Sequence, residues 1–339
     1  MRSPLLPLFR SPSNGTPPLL PFMNLLHEIM RAERRIRPHI LTTPLLPALP
    51  LEVRSQSRVF LKMESEQYTG SFKARGAMNK ILSLTKEERR QGVVTASTGN
   101  HGQGVARALQ ITETSGTIFL PDNATPSKVD ALRRYSVGIE RVSGDALTTE
   151  LHAKRFAEDN GKVWVSPYND PQVIGGQGTI ALELVEQINH FDVVFVTVGG
   201  GGLISGIATL LKAVTPETRI IGCLPERSPD MYRSVQAGNL VVLEQQETLS
   251  DGSAGSVEPG AITFPVCQTL VDEYILVSED EIRDALRLMV AECHKIVEGA
   301  AAVAVAAFLQ QRGRFAGQTA VIVVCGANIP MEKLAKIIG

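Results

Sequence analysis

Apolar residues recur in short blocks along the chain, and the spacing inside each block separates helix from strand. From Met23 to Arg37, the residues Leu25, Leu26, Ile29, Met30 and Ile36 fall near every third or fourth position, predicting an opening helix that Pro38 ends. The mostly apolar run Val59–Met63 predicts a short strand. Further strands are expected at 92–96, 117–120, 139–142, 163–165, 193–198, 219–223 and 320–325. Between them, helical patterns run over 77–84, from Thr98–Gly102 onward, and over 126–135, 146–160, 178–188, 203–214, 279–293 and 299–311. The last of these is so rich in Ala that it should be buried, whereas 251–264 is a Gly- and Ser-rich loop, mobile or facing a ligand. Helices alternating with apolar strands predict an α/β protein whose mostly parallel sheets are covered on both faces.

Composition narrows the function. At 339 residues the chain can bury a large core and build two lobes. Its 34 basic and 35 acidic residues give a net charge of −1, with no long basic block, so neither nucleic acid nor an anionic membrane is an expected partner. No apolar run approaches the roughly 20 residues that span a bilayer. Cys223, Cys267, Cys293 and Cys325 are too scattered for a metal finger, which predicts reduced thiols and a cytoplasmic setting. Residues 1–22 are Pro-rich and carry no acid, and their prolines would break a targeting helix, so a disordered tail is expected there. Met23 is an alternative start.

Two segments carry candidate chemistry. In Ser71-Phe72-Lys73-Ala74-Arg75-Gly76 a lysine sits between small, turn-forming residues, and Lys is the side chain whose amine loses its proton readily once desolvated. Far downstream, Gly199-Gly200-Gly201-Gly202-Leu203 can bring backbone N–H groups close to a phosphate without a clashing Cβ, and it feeds a helix whose positive end favours an anion. A Schiff-base lysine with a phosphate cradle suggests pyridoxal 5′-phosphate. Both segments, and Thr98–His101, follow predicted strands, where open α/β sheets bind ligands. A dinucleotide is disfavoured, because Ile204 and Ser205 fall where the third glycine of G-x-G-x-x-G would stand. Taken alone, His101 is as consistent with a satisfied core histidine as with a ligand contact, and Asn100 could merely cap its helix.

These motifs, with Ser97-Thr98-Gly99-Asn100-His101-Gly102 and Cys325-Gly326-Ala327-Asn328, together resemble the fold type II pyridoxal-phosphate enzymes, in their threonine/serine dehydratase and serine racemase branch. The resemblance runs from about Met23 to the C-terminus. It implies two open, mostly parallel twisted sheets flanked by helices, as in the tryptophan synthase β chain. A large coenzyme-binding domain would comprise 23–90 and 165–339, and a small mobile one 91–164. It further implies that Lys73 forms the Schiff base, Phe72 packs on the coenzyme ring, Asn100 bonds its 3′-oxygen, and Gly199, Gly200, Gly201, Gly202 and Leu203 hold its phosphate. Ser97, Thr98, Gly99, Asn100 and His101 would grip the substrate carboxylate. Glu298 would face the ring and Cys325 the pyridine nitrogen, where a neutral partner favours elimination over transamination.

The expected reaction is therefore dehydration of L-threonine, L-serine or a related β-hydroxy amino acid to a 2-oxo acid and ammonia. Serine racemisation is the alternative; racemases place a Ser where this chain has Thr98, whose extra methyl crowds that face. In the racemase branch a divalent cation uses two carboxylates in the stretch 223–230, but Leu224 replaces one of them, so we expect no metal and read Asp230 as a turn residue. A homodimer is implied by the resemblance.

Overall fold

The computed structural model describes residues 19–144 and 146–339. It opens with α1 (Leu19–Ile36), β1 (Leu45–Pro47), α2 (Leu49–Ser55), β2 (Arg58–Met63), α3 (Lys73–Ser83) and α4 (Lys86–Gln91). Next come β3 (Val93–Ala96), α5 (Asn100–Ile111), β4 (Gly116–Pro121), α6 (Pro126–Arg133), β5 (Gly138–Val142), α7 (Ala146–Asp159) and β6 (Val163–Trp164). The chain continues through α8 (Pro171–Gln187), β7 (Val193–Thr197), α9 (Gly202–Val214), β8 (Arg219–Pro225), α10 (Asp230–Ala237) and α11 (Thr263–Leu270). It closes with β9 (Glu273–Val277), α12 (Glu279–Ala291), α13 (Gly299–Gln310), β10 (Thr319–Val324) and α14 (Met331–Ile338).

The strands form two sheets. Six pair in the order β1-β2-β10-β7-β8-β9, all parallel except β1, and four pair in parallel as β5-β4-β3-β6. The α/β class with mostly parallel sheets is as expected. Strands β7 and β10 are buried along their whole length, and α13 is buried from Gly299 to Phe308, as its Ala content predicts. The expected tail lies largely outside the described residues, and α1 begins at Leu19, with Pro21 in the first turn, where a missing N–H costs nothing.

The main departure from the periodicity is α8, which starts at Pro171 rather than Gly178. The Asp170 side chain accepts bonds from the Gln172 and Val173 N–H groups, and Pro171 takes the first helical position. Gly175, Gly176 and Gly178 look like helix breakers in sequence, yet each is a packing contact. A Cβ on Gly176 would lie 2.6 Å from the Arg75 carbonyl oxygen and the Gly76 Cα, and one on Gly206 of α9 would lie 2.5 Å from the Gly178 nitrogen. Helices α3 and α9 thus approach α8 as closely as backbones allow. The short polar α4 has no apolar period to read; its capping box, Thr85 with Glu88, holds it instead.

Charged residues lie at the centre of this packing. Arg75, fully buried on α3, donates to both oxygens of Glu64 at 2.7 and 2.8 Å and both oxygens of Glu183 at 2.7 and 2.9 Å. Lys62, also fully buried, donates to Glu183 at 2.6 Å, to the Thr43 carbonyl and to Gln187. Two buried cations thus meet two buried carboxylates. Burial alone would push Glu183 up, but Arg75 and Lys62 outweigh it and hold the carboxyl down at about 2. A carboxylate depressed in the fold contributes stability that is fully present above its ordinary value and lost as pH falls toward 2. Glu183→Gln should therefore cost about 3 kcal/mol at neutral pH, since it strands buried cations. Urea titrations at neutral and acid pH should show this cost shrinking as the wild-type carboxylate is protonated.

Candidate active site

Lys73 is the first residue of α3 and is set in place by backbone pairing on its N-terminal side. Phe72 N–H donates to the Cys325 carbonyl at 3.1 Å, Ala327 N–H donates to the Gly70 carbonyl at 2.8 Å, and Ser71 bridges Gly326. The turn before the lysine is therefore stitched to the turn after β10. The Lys73 Nζ lies 5.2 Å from the centre of the Phe72 ring and donates to the Pro167 carbonyl at 2.7 Å. Burial lowers this amine to about 8, against the raising influence of Cys325, Glu298 and Glu150. A substantial fraction is thus neutral near physiological pH.

The glycine run leaves β7 and enters α9. A Cβ on Gly199 would meet the Ser253 carbonyl oxygen at 2.7 Å, one on Gly200 the Tyr168 ring at 2.5 Å, and one on Gly202 the Tyr168 Cα and Cβ at 3.0 Å. Gly201 has φ +86°, in the left-handed region that favours glycine. The first N–H groups of α9, including that of Leu203, have no partner within their helix, so the loop offers anion-binding donors at a positive helix end.

Ser97–Gly99 form the turn after β3, and Asn100 and His101 begin α5. Thr98 and Ser97 are half-buried, and the Ser97 Oγ accepts from the Gly99 N–H. The Asn100 Nδ2 donates to both oxygens of Glu298, at 2.8 and 3.0 Å. Burial pushes Glu298 up to about 7, with Asp251 adding to the rise while Asn100, the Asn328 N–H and Lys73 oppose it. Cys325 is fully enclosed; burial first, then the Glu298 charge, raises its thiol well above the usual range and keeps it neutral.

His101 is buried, with Nε2 3.1 Å from the Val165 carbonyl oxygen. A carbonyl only accepts, so Nε2 carries the hydrogen and Nδ1 is a bare acceptor with no protein partner. Burial first, then Lys73, hold its pKa down at about 3. It is a neutral ring.

Phe72 beside Lys73 is thus bonded to Cys325 and Asn100 to Glu298, while the glycine loop packs under Tyr168, next to the Pro167 carbonyl that accepts from Lys73. A family model described as pyridoxal-phosphate dependent enzyme matches residues 36–326. The chain belongs to this family. It is 41% identical to an L-threonine ammonia-lyase of Thermotoga maritima over 318 residues, which cover 93% of this chain and 78% of that protein. It is 37% identical to the catabolic L-threonine dehydratase of Escherichia coli, covering 93% and 96% of the two. Among solved structures, the processed threonine deaminase isoform 2 of Solanum lycopersicum superposes with a TM-score of 0.88 at 34% identity, covering 93% of this chain and 92% of that one. Maize serine racemase superposes with a TM-score of 0.86 at 34% identity, covering 91% and 95%.

The residues present suit pyridoxal phosphate. A buried lysine with a lowered amine, a cradle that any Cβ would fill, and a neutral thiol are the chemistry that its aldehyde, phosphate and pyridine nitrogen require. The site also holds groups that periodicity and motif did not single out. Pro167 and Tyr168 lie in the crossing from β6 to α8, where the Tyr168 hydroxyl accepts from the Glu258 N–H at 2.8 Å and Asn169 accepts from the Ile262 N–H. Their signal was available: a Ser-Pro-Tyr-Asn run directly after a strand marks a loop at the sheet's ligand-binding end.

Two outcomes follow. Covalent uptake of pyridoxal phosphate by the coenzyme-free chain should speed up as pH rises through about 8 and level off above it, because only the neutral amine attacks; stopped-flow absorbance reads this directly. Gly200→Ala should displace the Tyr168 ring and weaken coenzyme binding about tenfold, measured by equilibrium dialysis.

Proposed function

We propose that this chain is an ammonia-lyase that converts L-threonine, and L-serine, to a 2-oxo acid and ammonia. The observation that carries the reading is the near-full-length identity of 41% and 37% to two enzymes named for this reaction on threonine. The site chemistry supports it. Bound pyridoxal phosphate supplies an aldehyde for the amine and an electron-withdrawing ring. The Lys73 amine, neutral in part near pH 7, is the base for the proton on the substrate α-carbon. Phe72 backs the ring, Gly199–Gly202 with Leu203 take the phosphate, and Asn100 orients the ring oxygen. The Ser97–Asn100 turn receives the substrate carboxylate on its backbone N–H groups and the Thr98 hydroxyl. His101, neutral and bonded to Val165, shapes that turn rather than charging it.

Cys325 sets the direction of the chemistry. A thiol that stays protonated cannot transfer charge to the ring nitrogen as a carboxylate would, which favours prompt loss of the β-hydroxyl over a long-lived carbanion. Threonine would yield 2-oxobutanoate and serine pyruvate, each with ammonia. Serine racemisation is the second reading, favoured by the likeness to maize serine racemase.

The same reading places the protein in the cytoplasm as a homodimer. It treats 91–164 as a smaller unit closing on a body formed by 23–90 and 165–339. Lys128 with Asp251 and Lys154 with Glu258 tie α6 and α7 to the 251–262 loop, which supports closure there.

Purified protein should form 2-oxobutanoate from L-threonine, followed by a coupled keto-acid assay across a panel of β-hydroxy amino acids. Lys73→Ala should lower the rate by at least about 10³-fold. No keto acid from any member of the panel, with D-serine appearing from L-serine, would replace the lyase reading by the racemase one.

A further inference from the structure

Asn328, the last residue of Cys325-Gly326-Ala327-Asn328, touches three segments of the site, its backbone N–H meeting Glu298. Its Nδ2 donates to the Thr69 carbonyl at 2.8 Å and to the Asn100 Oδ1 at 2.7 Å. Asn100 in turn donates through Nδ2 to Glu298. The direction of this chain follows from chemistry alone. A backbone carbonyl can only accept, so the end of Asn328 facing Thr69 must be its nitrogen. That nitrogen has only hydrogens to give, so Asn100 must present its oxygen, which turns its own nitrogen to Glu298. One backbone carbonyl, at the turn before Lys73, thereby sets the polarity of an amide on α5 and of the carboxyl beyond it.

We propose that Asn328 is a positioning residue: it fixes which way the Asn100 amide faces and so keeps Glu298 as a hydrogen-bond acceptor in the coenzyme site. The inference rests on the reading that Asn100 and Glu298 line that site, and it assigns Asn328 the task of presenting Asn100 to the coenzyme in one orientation only.

Reversing one link tests this. In Asn328→Asp neither carboxylate oxygen can donate to Thr69 or Asn100, so the Asn100 amide turns over and sets its oxygen against Glu298. Glu298 then has to hold a proton to avoid two facing acceptors. In Asn328→Ala the Asn100 amide loses the donor that fixes it, so either end can turn to Glu298 and no acceptor is forced against the carboxylate. The other charged or titratable groups facing Glu298, namely Lys73 on α3, Asp251 in the 251–262 loop and Cys325 after β10, are the same in both variants.

The titration of Glu298 is followed by NMR on full-length protein carrying ¹³C-labelled glutamate, with and without pyridoxal phosphate, Glu298→Gln supplying the assignment. Asn328→Asp should raise the midpoint at least about one pH unit above that of Asn328→Ala. That excess should vanish when Asn100 is also replaced by Ala, because a charge acting through space would persist. Equal midpoints in the two variants, or an excess that survives loss of Asn100, would overturn the proposal. Should Asn328→Asp not fold, the wild-type side-chain amide resonances of Asn328, which reach Glu298 through Asn100, decide instead. They should move with the Glu298 titration, and resonances unmoved by it would be equally fatal. Keto-acid formation is absent from this test, so a chain without lyase activity can still show the relay, and a failed relay leaves the lyase reading intact.

Discussion

Arg75 is the interaction on which the rest of the structure leans. A guanidinium without solvent is tolerable only when its five donors are all met; Glu64 and Glu183 take four with two oxygens apiece, and the Thr179 hydroxyl takes the fifth. Those carboxylates come from the turn after β2 and from α8, so satisfying one side chain joins the six-stranded sheet to the helix layer above it. Arg75 lies two residues beyond Lys73 on the same helix. The demand for charge neutrality in the interior therefore also determines where the reactive amine begins its helix.

The close approach of α3, α8 and α9 belongs to the same constraint. Arg75 can reach Glu183 only because Gly176 lets its helix sit against the α3 backbone, and Gly178 against Gly206 extends the contact to α9. Since α9 carries the glycine loop at its start and α3 carries Lys73 at its own, the two ends that a phosphate and an aldehyde would occupy are spaced by helix packing rather than by loops. Sites carried on rigid elements hold their geometry more closely than sites on loops.

Much of this was legible in the sequence because the relevant signals are local. Apolar strands alternating with helices gave the α/β class, and a lysine and a glycine run placed after strands gave the chemistry. What escaped was non-local. The glycines of α8 read as breakers because their purpose is to admit backbone from α3 and α9, which no window of the sequence contains. The pairing of Arg75 with Glu183 spans 108 positions, and Asn100 with Glu298 spans 198. Tyr168 was missed for a related reason: a single aromatic in a Pro-rich loop acquires its meaning only when Gly200 is folded beneath it.

The crossing from β6 to α8 carries one further consequence. Within four residues it supplies the acceptor for the Lys73 amine, the ring over the glycine loop and the anchor for Ile262, and it is where the chain passes from the four-stranded sheet to α8 and the six-stranded sheet. Trp164, the one tryptophan in the sequence, ends β6 two residues before that crossing and packs against the Phe119 core of the four-stranded sheet. The chain's single indole thus stands beside the junction, so emission excited selectively in tryptophan, apart from the five tyrosines, is an optical gauge of what happens there when a small molecule enters.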